Sequence, residues 1–427
     1  TDRYILKGGG PETWEPRFTY HGFRYVEVEG WPGILDLEDL SAIVCHSDME
    51  RTGWFSCSEP LIKPLHENIV WSVRGNFFDI PTDCPQRDER LGWGGDAQVF
   101  AKTATYLTDS ASFFTKWIQD MADAQFDYGA IPAIAPVSPH FRKSDGGAAW
   151  SDAFIIVPWT IWQQYGDTLV LETHYESMRR YMEYLTVNSP GLIRCLPNEN
   201  ELGEENEDWQ IGGYGDWLAL DGNTDKRGLT PKDLIGTAFL AYDAKLMAQM
   251  AAAIGKSDDS ERYSQLFEDT RTAFTNHFIT PSGLMAGQTQ TAYVLSLYFD
   301  LVPEDLRPTI IEALVKDIEV TRKNHMSTGF VGTPYITQVL SNIGRIDLAY
   351  TLLLQKTFPS WLYPVIHGAT TIWERWDGWT EGKGFQDPGM NSFNHYAYGA
   401  VGTWMYENIA GIRTDPQNPG FKHIILK

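Results

Sequence analysis

The chain has 427 residues, and at roughly 150 residues per domain this length predicts about three domains or one large domain with appendages. Acidic residues outnumber basic ones by 56 to 34, which gives a formal charge of −22 and an isoelectric point near 4.8. This charge disfavours nucleic acid as a partner, and no apolar run approaches the roughly 18 residues that span a bilayer. We therefore expect a soluble protein with neither a nucleic-acid nor a membrane partner, in a compartment that the sequence leaves open.

The first residues show the pattern of β structure. Apolar and polar positions alternate over 18–28, and clusters of Gly and Pro at 8–11 and 31–33 interrupt the chain. A period of two residues is typical of strands. We interpret residues 1–57 as the end of a preceding β-sandwich domain followed by a linker.

From residue 58 the apolar period changes to 3.6, which is typical of helices. The clearest helix follows Thr230 as N-cap and Pro231 as first helical residue, and its apolar stripe ends at Gly255. About twelve helices joined by loops of uneven length favour a mainly α fold, an (α/α)6 barrel of six hairpins over 58–411. The other helices are expected at 65–78, 96–107, 111–126, 151–165, 169–187, 258–277, 287–298, 304–316, 333–341, 345–356 and 395–409.

The end of the chain returns to a strand pattern. Residues 421–427 are mostly apolar and follow Pro416 and Pro419, so we interpret 412–427 as the start of a C-terminal β domain. On this interpretation both flanking β domains are represented only in part.

The four cysteines indicate neither zinc nor a redox pair, because they lack CxxC spacing and a histidine at ligand distance. They are Cys45, Cys57, Cys84 and Cys195. A disulfide between Cys45 and Cys57 is one alternative, and buried free thiols are the one we favour. No ligand spacing indicates another metal, so we predict no metal and no cofactor.

Aromatic residues are abundant, with 16 Trp, 20 Tyr and 21 Phe. Part of them will pack the core, but aromatic rings also stack on the apolar faces of sugars. Four loop segments place a carboxylate within one to three residues of a Trp. They are 83–96, 150–152, 212–217 and 368–379, and their shared composition predicts a carbohydrate site.

Hydrolysis of a glycosidic bond requires a protonated carboxyl for the leaving oxygen and an ionised carboxylate for water or direct attack. Glu89 lies among acidic neighbours that favour its protonated form and beside Arg87 and Arg90, which favour the ionised form. The sequence leaves that balance open. Nearby, Asp83 and Asp96 suit hydrogen bonding to sugar hydroxyls.

Each of these features also has a purely structural interpretation. The charge run at 87–90 is, in most proteins, a solvated face or an intrahelical ladder of ion pairs. Asp96 is a good N-cap for a helix that begins near Ala97, and His395 is compatible with a hydrogen-bonded core histidine. The shared composition of four separate segments favours the functional interpretation.

Five stretches of the chain resemble, in the same order, the motifs of bacterial-type α-L-rhamnosidases. This family comprises inverting glycoside hydrolases with an (α/α)6 catalytic barrel flanked by β domains. The resemblance covers essentially the whole chain, including 21–30 and 419–427. The five stretches are DCPQRDERLGWGGDAQ (83–98), WSDA (150–153), GDW (215–217), TTIWERWDGW (370–379) and NSFNHYAYGAVGTWMY (391–406).

The resemblance implies that Glu89 is the general acid and Glu374 the general base. For an inverting enzyme their carboxyls should stand roughly 6.5–9.5 Å apart. Gly94 departs from the family, which often has Thr there, and we expect it to loosen the loop before Asp96. The residues implied to hold the terminal rhamnose are Asp83, Arg87, Trp93, Asp96, Trp150, Trp217 and His395, with Trp209 as an alternative to Trp217.

The expected function is hydrolysis of terminal non-reducing α-L-rhamnose from a glycoside or polysaccharide, with inversion. Two other functions stay open on the sequence alone. One is carbohydrate binding without catalysis, and the other is a different sugar-active enzyme on the same barrel, such as a phosphorylase or a lyase.

Overall fold

The computed structural model describes residues 1–138, 146–194, 213–222 and 226–427, which fold mainly into helices. No helix in these ranges is both long enough and apolar enough to cross a bilayer. The helices are α1 (Ile62–Asn76), α2 (Gly94–Leu107), α3 (Ala111–Asp123), α4 (Ala153–Tyr165), α5 (Leu169–Val187), α6 (Lys232–Ala253), α7 (Ser257–Phe278), α8 (Gln290–Tyr298), α9 (Arg307–Lys316), α10 (Thr333–Asn342), α11 (Ile346–Leu353), α12 (Leu362–Ile366) and α13 (Val401–Trp404).

Within the described residues, six helices form a closed ring. Each of α2, α4, α6, α8, α10 and α13 contacts the next, and α13 contacts α2. The intervening helices α3, α5, α7, α9 and α11 pack against the outside of this ring. The burial pattern agrees, because α6 is buried on nearly every face, whereas α7 buries one stripe that includes Tyr263, Phe267 and Phe274. The expected (α/α)6 barrel is confirmed.

The ends of α6 correct one detail of the sequence prediction. The helix begins at Lys232, so Pro231 occupies the N-cap position rather than the first helical one. Thr230 does not cap the helix, because its hydroxyl lies 2.6 Å from that of Thr289. The predicted end at Gly255 is confirmed, since this residue takes φ +75°, where glycine is favoured.

Three two-stranded antiparallel sheets accompany the helices in the described part of the chain. The C-terminal strand is confirmed over Ile424–Leu426, which pairs with Ile412–Thr414. The two other sheets lie in loops beside the barrel. They pair β1 (Phe77–Phe78) with β2 (Ile80–Pro81), and β3 (Trp379–Thr380) with β4 (Gly384–Phe385).

The strand expected at 18–28 is absent from the structure. A strand requires a neighbour that takes up its backbone hydrogen bonds, and no described segment pairs with these residues. Their alternating apolar side chains stay largely exposed, including Phe18 and Tyr25. The alternation is therefore real, but it does not form a strand within this chain.

The burial of the cysteines differs from the favoured expectation of buried free thiols. Cys45, Cys57 and Cys84 are free thiols, so the alternative disulfide is absent. Of these three, only Cys84 is buried, and Cys45 and Cys57 lie in the exposed segment before the barrel. Cys195 falls outside the described residues.

A pair of aspartates is buried at two neighbouring helices of the ring. The carboxylate of Asp152, just before α4, accepts hydrogen bonds from Arg194 Nη1 (2.7 Å) and the hydroxyl of Tyr181 (3.0 Å). Asp243 of α6 is also fully buried, and among the described residues neither of its carboxyl oxygens accepts a hydrogen bond. Burial, followed by the negative charge of Asp152, raises the pKa of Asp243 well above its usual value. The raised pKa favours the protonated, neutral form of Asp243.

Replacing Asp243 by Asn tests this protonation state. A carboxyl whose pKa is raised by folding contributes stability below its unfolded pKa of about 3.9, and this contribution is lost as the pH rises towards the folded pKa. The Asn variant, which stays neutral, should gain stability over the wild type between pH 5 and pH 8, by about 1.4 kcal/mol per unit of raised pKa. Urea unfolding across this range measures the difference.

The matched control for this experiment is Asp305→Asn, at an exposed position before α9. Its stability difference from the wild type should vary little with pH. A difference for Asp243→Asn that is constant from pH 4.5 to pH 8.5 would contradict a neutral Asp243.

Candidate active site

The expected site residues lie in the loops that lead into the ring helices, at the end where those helices begin. Helix amino termini carry partial positive charge, which stabilises nearby carboxylates. The segments are 83–93 before α2, with Asp96 in its first turn; 148–152 before α4; 213–222, which precedes α6; and 367–396 before the helical segment 397–409 that contains α13.

Arg87 joins the two candidate catalytic carboxylates. Its Nε donates to Glu89 Oε2 at 2.7 Å, and Nη1 and Nη2 donate to Glu374 at 2.9 and 3.2 Å. Nη2 also lies 3.5 Å from Asp83. The charge run is thus not an intrahelical ladder, because residues 83–92 are not helical and the guanidinium reaches across the barrel mouth.

Glu374 is held in its ionised form. Only 2% of its side chain is exposed, and Oε2 accepts a hydrogen bond from the backbone N–H of Ser392 at 2.8 Å. Burial alone would raise its pKa, but the positive charges of His395 and Arg87 together lower the pKa of Glu374 below its usual value. An ionised, buried carboxylate has the properties of a general base.

His395 and Asp96 form a buried ion pair, with Nε2 and Oδ1 separated by 2.8 Å. Burial opposes a charge on the imidazole, but the neighbouring Asp96 carboxylate raises the pKa of His395 above its usual value. Asp96 is not the N-cap proposed as an alternative, because α2 begins two residues earlier, at Gly94. His395 is a buried, hydrogen-bonded histidine, and its partner is another expected site residue.

Asp83 begins the loop 83–93 that also carries Arg87 and Glu89. Its Oδ1 accepts the backbone N–H of Leu91 at 2.8 Å, and burial, followed by the charge of Glu89, raises its pKa to about 7. Ligand atoms of Asp83, Cys84 and Glu89 lie within 4.8 Å of one another. This trio fits a cation poorly, because Arg87 already contacts both carboxylates and burial raises the pKa of the Cys84 thiol. The absence of a metal stays a prediction.

The three expected tryptophans meet on one aromatic ring that the sequence did not single out. Tyr214 contacts Trp93, Trp150 and Trp217, with ring centroids 5.5, 4.6 and 6.2 Å apart. Trp93 also donates from Nε1 to Glu89 Oε1 at 2.9 Å, which attaches this aromatic wall to the candidate acid. The place of Tyr214 in the segment 212–217 was the available signal. Trp209 lies outside the described residues.

Gly94 has a different role from the one expected. It does not loosen a loop, because it begins α2 and its N–H donates to Ala133. A Cβ at Gly94 would stand 2.2 Å from the backbone oxygen of Trp150, and one at Gly95 would stand 2.5 Å from its indole. The two glycines allow Trp150 to pack directly on the helix start.

Asp216 was also missed as a candidate, although it lies in the GDW stretch. Its buried carboxylate ties the loop of Trp217 to the loop before α10, where Phe330 donates its N–H to the carbonyl of Trp217. The ring of Phe330 lies 5.1 Å from that of His395. The four donors to Asp216 are the N–H groups of Gly329 (2.8 Å), Val331 (2.9 Å) and Gly332 (3.2 Å) and the hydroxyl of Thr291 (2.5 Å).

Comparison with known proteins identifies the family. A model described as the bacterial alpha-L-rhamnosidase 6 hairpin glycosidase domain matches residues 50–409, and one described as the bacterial alpha-L-rhamnosidase concanavalin-like domain matches residues 1–46. The chain belongs to the bacterial α-L-rhamnosidase family. The expected resemblance is confirmed, and the six-hairpin description agrees with the observed ring.

Individual relatives of the chain are themselves named α-L-rhamnosidases. An α-L-rhamnosidase from Streptomyces avermitilis is 46% identical over 100% of this chain, and one from Formosa agariphila is 40% identical over 100%. A crystal structure of the Streptomyces avermitilis enzyme complexed with L-rhamnose matches 99% of the chain with a TM-score of 0.89, and an α-L-rhamnosidase structure from Dictyoglumus thermophilum matches 97% with 0.87 at 38% identity. The chain spans 39% and 44% of the two curated relatives, and 38% and 44% of the chains in the two structures.

Replacing Asp216 by Asn tests its structural role in this rhamnosidase fold. An amide has only one acceptor oxygen, so some of the backbone donors that now share the carboxylate would face an N–H group. Each buried donor left unpaired lowers the free energy of unfolding by about 1–3 kcal/mol. We expect a clear fall in melting temperature and faster amide hydrogen exchange at Gly329 and Val331. Thr291→Val removes a single donor and should lower the melting temperature less than Asp216→Asn does. Equal falls in melting temperature for the two variants would contradict the central role of the carboxylate.

Proposed function

We propose that the protein hydrolyses terminal non-reducing α-L-rhamnose from rhamnose-containing glycosides or polysaccharides, with inversion at the anomeric carbon. The observation that carries this proposal is the convergence of Glu89 and Glu374 on one guanidinium, although Arg87 and Glu374 are 287 residues apart in the chain. Relatives named α-L-rhamnosidases, one of them described in complex with L-rhamnose, support the substrate class.

The two carboxyl groups have different tasks in this reaction. Glu374, ionised and buried, takes a proton from a water molecule as the water oxygen bonds to the anomeric carbon. Glu89, in protonated form, gives its proton to the glycosidic oxygen as the bond from that oxygen to the anomeric carbon breaks. The products are free rhamnose of inverted configuration and the aglycone alcohol, and one further proton exchange restores both carboxyls.

The neighbouring groups suit the binding of a deoxysugar. Asp83, Arg87 and the Asp96–His395 pair offer hydrogen-bond partners for hydroxyl groups at the barrel mouth. The wall formed by Trp93, Trp150, Trp217 and Tyr214 offers an apolar surface for the sugar face and its methyl group. In the absence of sugar, the site's own ion pairs occupy these donors and acceptors.

Phosphate is a poor fit to this arrangement. Arg87 directs its N–H groups at the carboxyl groups of Asp83, Glu89 and Glu374, so these groups already occupy the cation that a phosphorylase would need for its second substrate. Activity that does not depend on added phosphate is therefore expected.

The stereochemistry of the product tests the mechanism directly. Proton NMR of p-nitrophenyl α-L-rhamnopyranoside with the protein should show β-rhamnose first, before mutarotation mixes the anomers. Initial α-rhamnose would overturn the acid and base assignment while keeping the substrate. If no rhamnose is released although sugar binding perturbs the Trp fluorescence, the protein is a binding protein instead.

Glu89→Gln and Glu374→Gln should each lower kcat by about 10²–10⁴-fold, the range that general acid–base catalysis supplies. Rhamnose binding, measured by calorimetry, should change little, because each amide preserves the shape of the site. The exposed Glu304→Gln, before α9, is the matched control. Near wild-type turnover in either site variant would show that its assigned role is wrong.

The pH profile should report the surroundings of Glu374. Because its pKa is lowered, the acidic limb of kcat/KM should fall below about pH 4.3, the value of an unperturbed Glu. Arg87→Met removes one of the charges that lower the pKa, so the limb of the residual activity should move to higher pH. Arg87→Lys, which keeps the charge, should move it less, and an unmoved limb in both variants would contradict the electrostatic account.

A further inference from the structure

The segment before the barrel touches the loop of the candidate acid through Tyr20. The guanidinium of Arg90, next to Glu89 in sequence, lies over the ring of Tyr20 at 4.6 Å from its centroid. The same ring packs against Phe78 at 4.6 Å. A cation over an aromatic face in a partly desolvated position is an attractive contact that also fixes direction. Tyr20 thus connects residues matched by the concanavalin-like model to the barrel mouth.

A second contact lies two residues along the segment. Gly22 approaches Gln86 so closely that a Cβ on the glycine would stand 3.0 Å from the Gln86 backbone. The side chain of Gln86 accepts a hydrogen bond from Ser392 Oγ at 3.1 Å, and the N–H of Ser392 donates to Glu374. The loop that Tyr20 and Gly22 contact therefore leads to both candidate catalytic carboxylates.

The backbone at Arg90 needs such support. Arg90 has φ +52°, in the left-handed region that non-glycine residues rarely adopt. Its Nε donates to the carbonyl of Pro85 at 3.0 Å, which closes the loop on itself around Glu89. Unfavourable backbone conformations persist only where surrounding contacts hold them, and Tyr20 supplies one of these contacts from outside the barrel.

We propose that Tyr20 is a positioning residue for the general acid: by holding Arg90, it fixes the loop that aims Glu89 at the leaving oxygen. This inference rests on the proposed hydrolysis. It assigns a role in the chemical step to a segment that lies outside the barrel and more than sixty residues from Glu89 in sequence.

The test exploits the fact that proton donation matters only for a poor leaving group. Hydrolysis of an alkyl α-L-rhamnoside requires the acid, whereas a dinitrophenolate leaves without protonation. Tyr20→Ala should lower kcat/KM for the alkyl rhamnoside by about tenfold, a fraction of the 10²–10⁴-fold that an acid supplies. The dinitrophenyl rhamnoside should change less than about twofold, because its reaction still uses the intact base. Tyr20→Phe keeps the ring and should restore most of the activity.

A double-mutant cycle separates positioning from general damage. If Tyr20 acts through Arg90, then adding Tyr20→Ala to Arg90→Ala should cause no further loss on the alkyl substrate, because the contact between them is already gone. Arg90→Ala alone should lose at least as much as Tyr20→Ala, since it also removes the hydrogen bond to Pro85. Tyr25→Ala, in the same segment with 87% of its residue exposed, is the matched control. Thermal unfolding confirms that all variants are folded at the assay temperature.

Three outcomes overturn the inference. Equal losses on both substrates would show a structural effect rather than a misplaced acid, and unchanged kinetics in Tyr20→Ala would show that the contact is not needed. Additive losses in the cycle would mean that Tyr20 does not act through Arg90. If the wild type hydrolyses neither substrate, the proposed function itself is wrong, which is distinguishable from all three.

Discussion

The candidate active site depends on the guanidinium of Arg87. Three carboxyl groups converge on this one cation in a chain of net charge −22. Whenever two of them are ionised, like charges about 4 Å apart repel by about 4 kcal/mol at an effective dielectric constant near 20. Arg87, assisted by His395 and by the amino ends of the ring helices, offsets that repulsion. Without it, Glu374 would lose one of the charges that keep it ionised.

Buried aspartates away from the chemistry hold the loops that present these groups. Asp216 gathers four donors, three from the loop before α10 and one from α8. Asp152, just before α4, accepts hydrogen bonds from Arg194 and Tyr181. A loop has no repeating hydrogen-bond ladder of its own. A buried carboxylate with several acceptor positions is one of the few side chains that can replace such a ladder.

Sequence periodicity predicted the helices well, because the 3.6-residue stripe of an element such as α7 is a local property. The composition of four segments and the resemblance led to residues that the structure places together. The sequence did not single out Tyr214, Phe330 or Tyr20, because their roles arise from contacts between distant parts of the chain. The predicted strand at 18–28 was wrong for the same reason, since an alternating sequence can indicate a strand but does not show whether a second strand pairs with it.

The closed ring also bears on the order of events during folding. The pair that completes the site, Arg87 and Glu374, is separated by 287 residues, and the last ring helix closes against the first. Contacts this distant in sequence form slowly, because a long loop must close before they are gained. Individual helical hairpins can form earlier from local contacts. Helical content should therefore recover during refolding before the candidate site is assembled, because assembly of the site requires closure of the ring and not only formation of its helices.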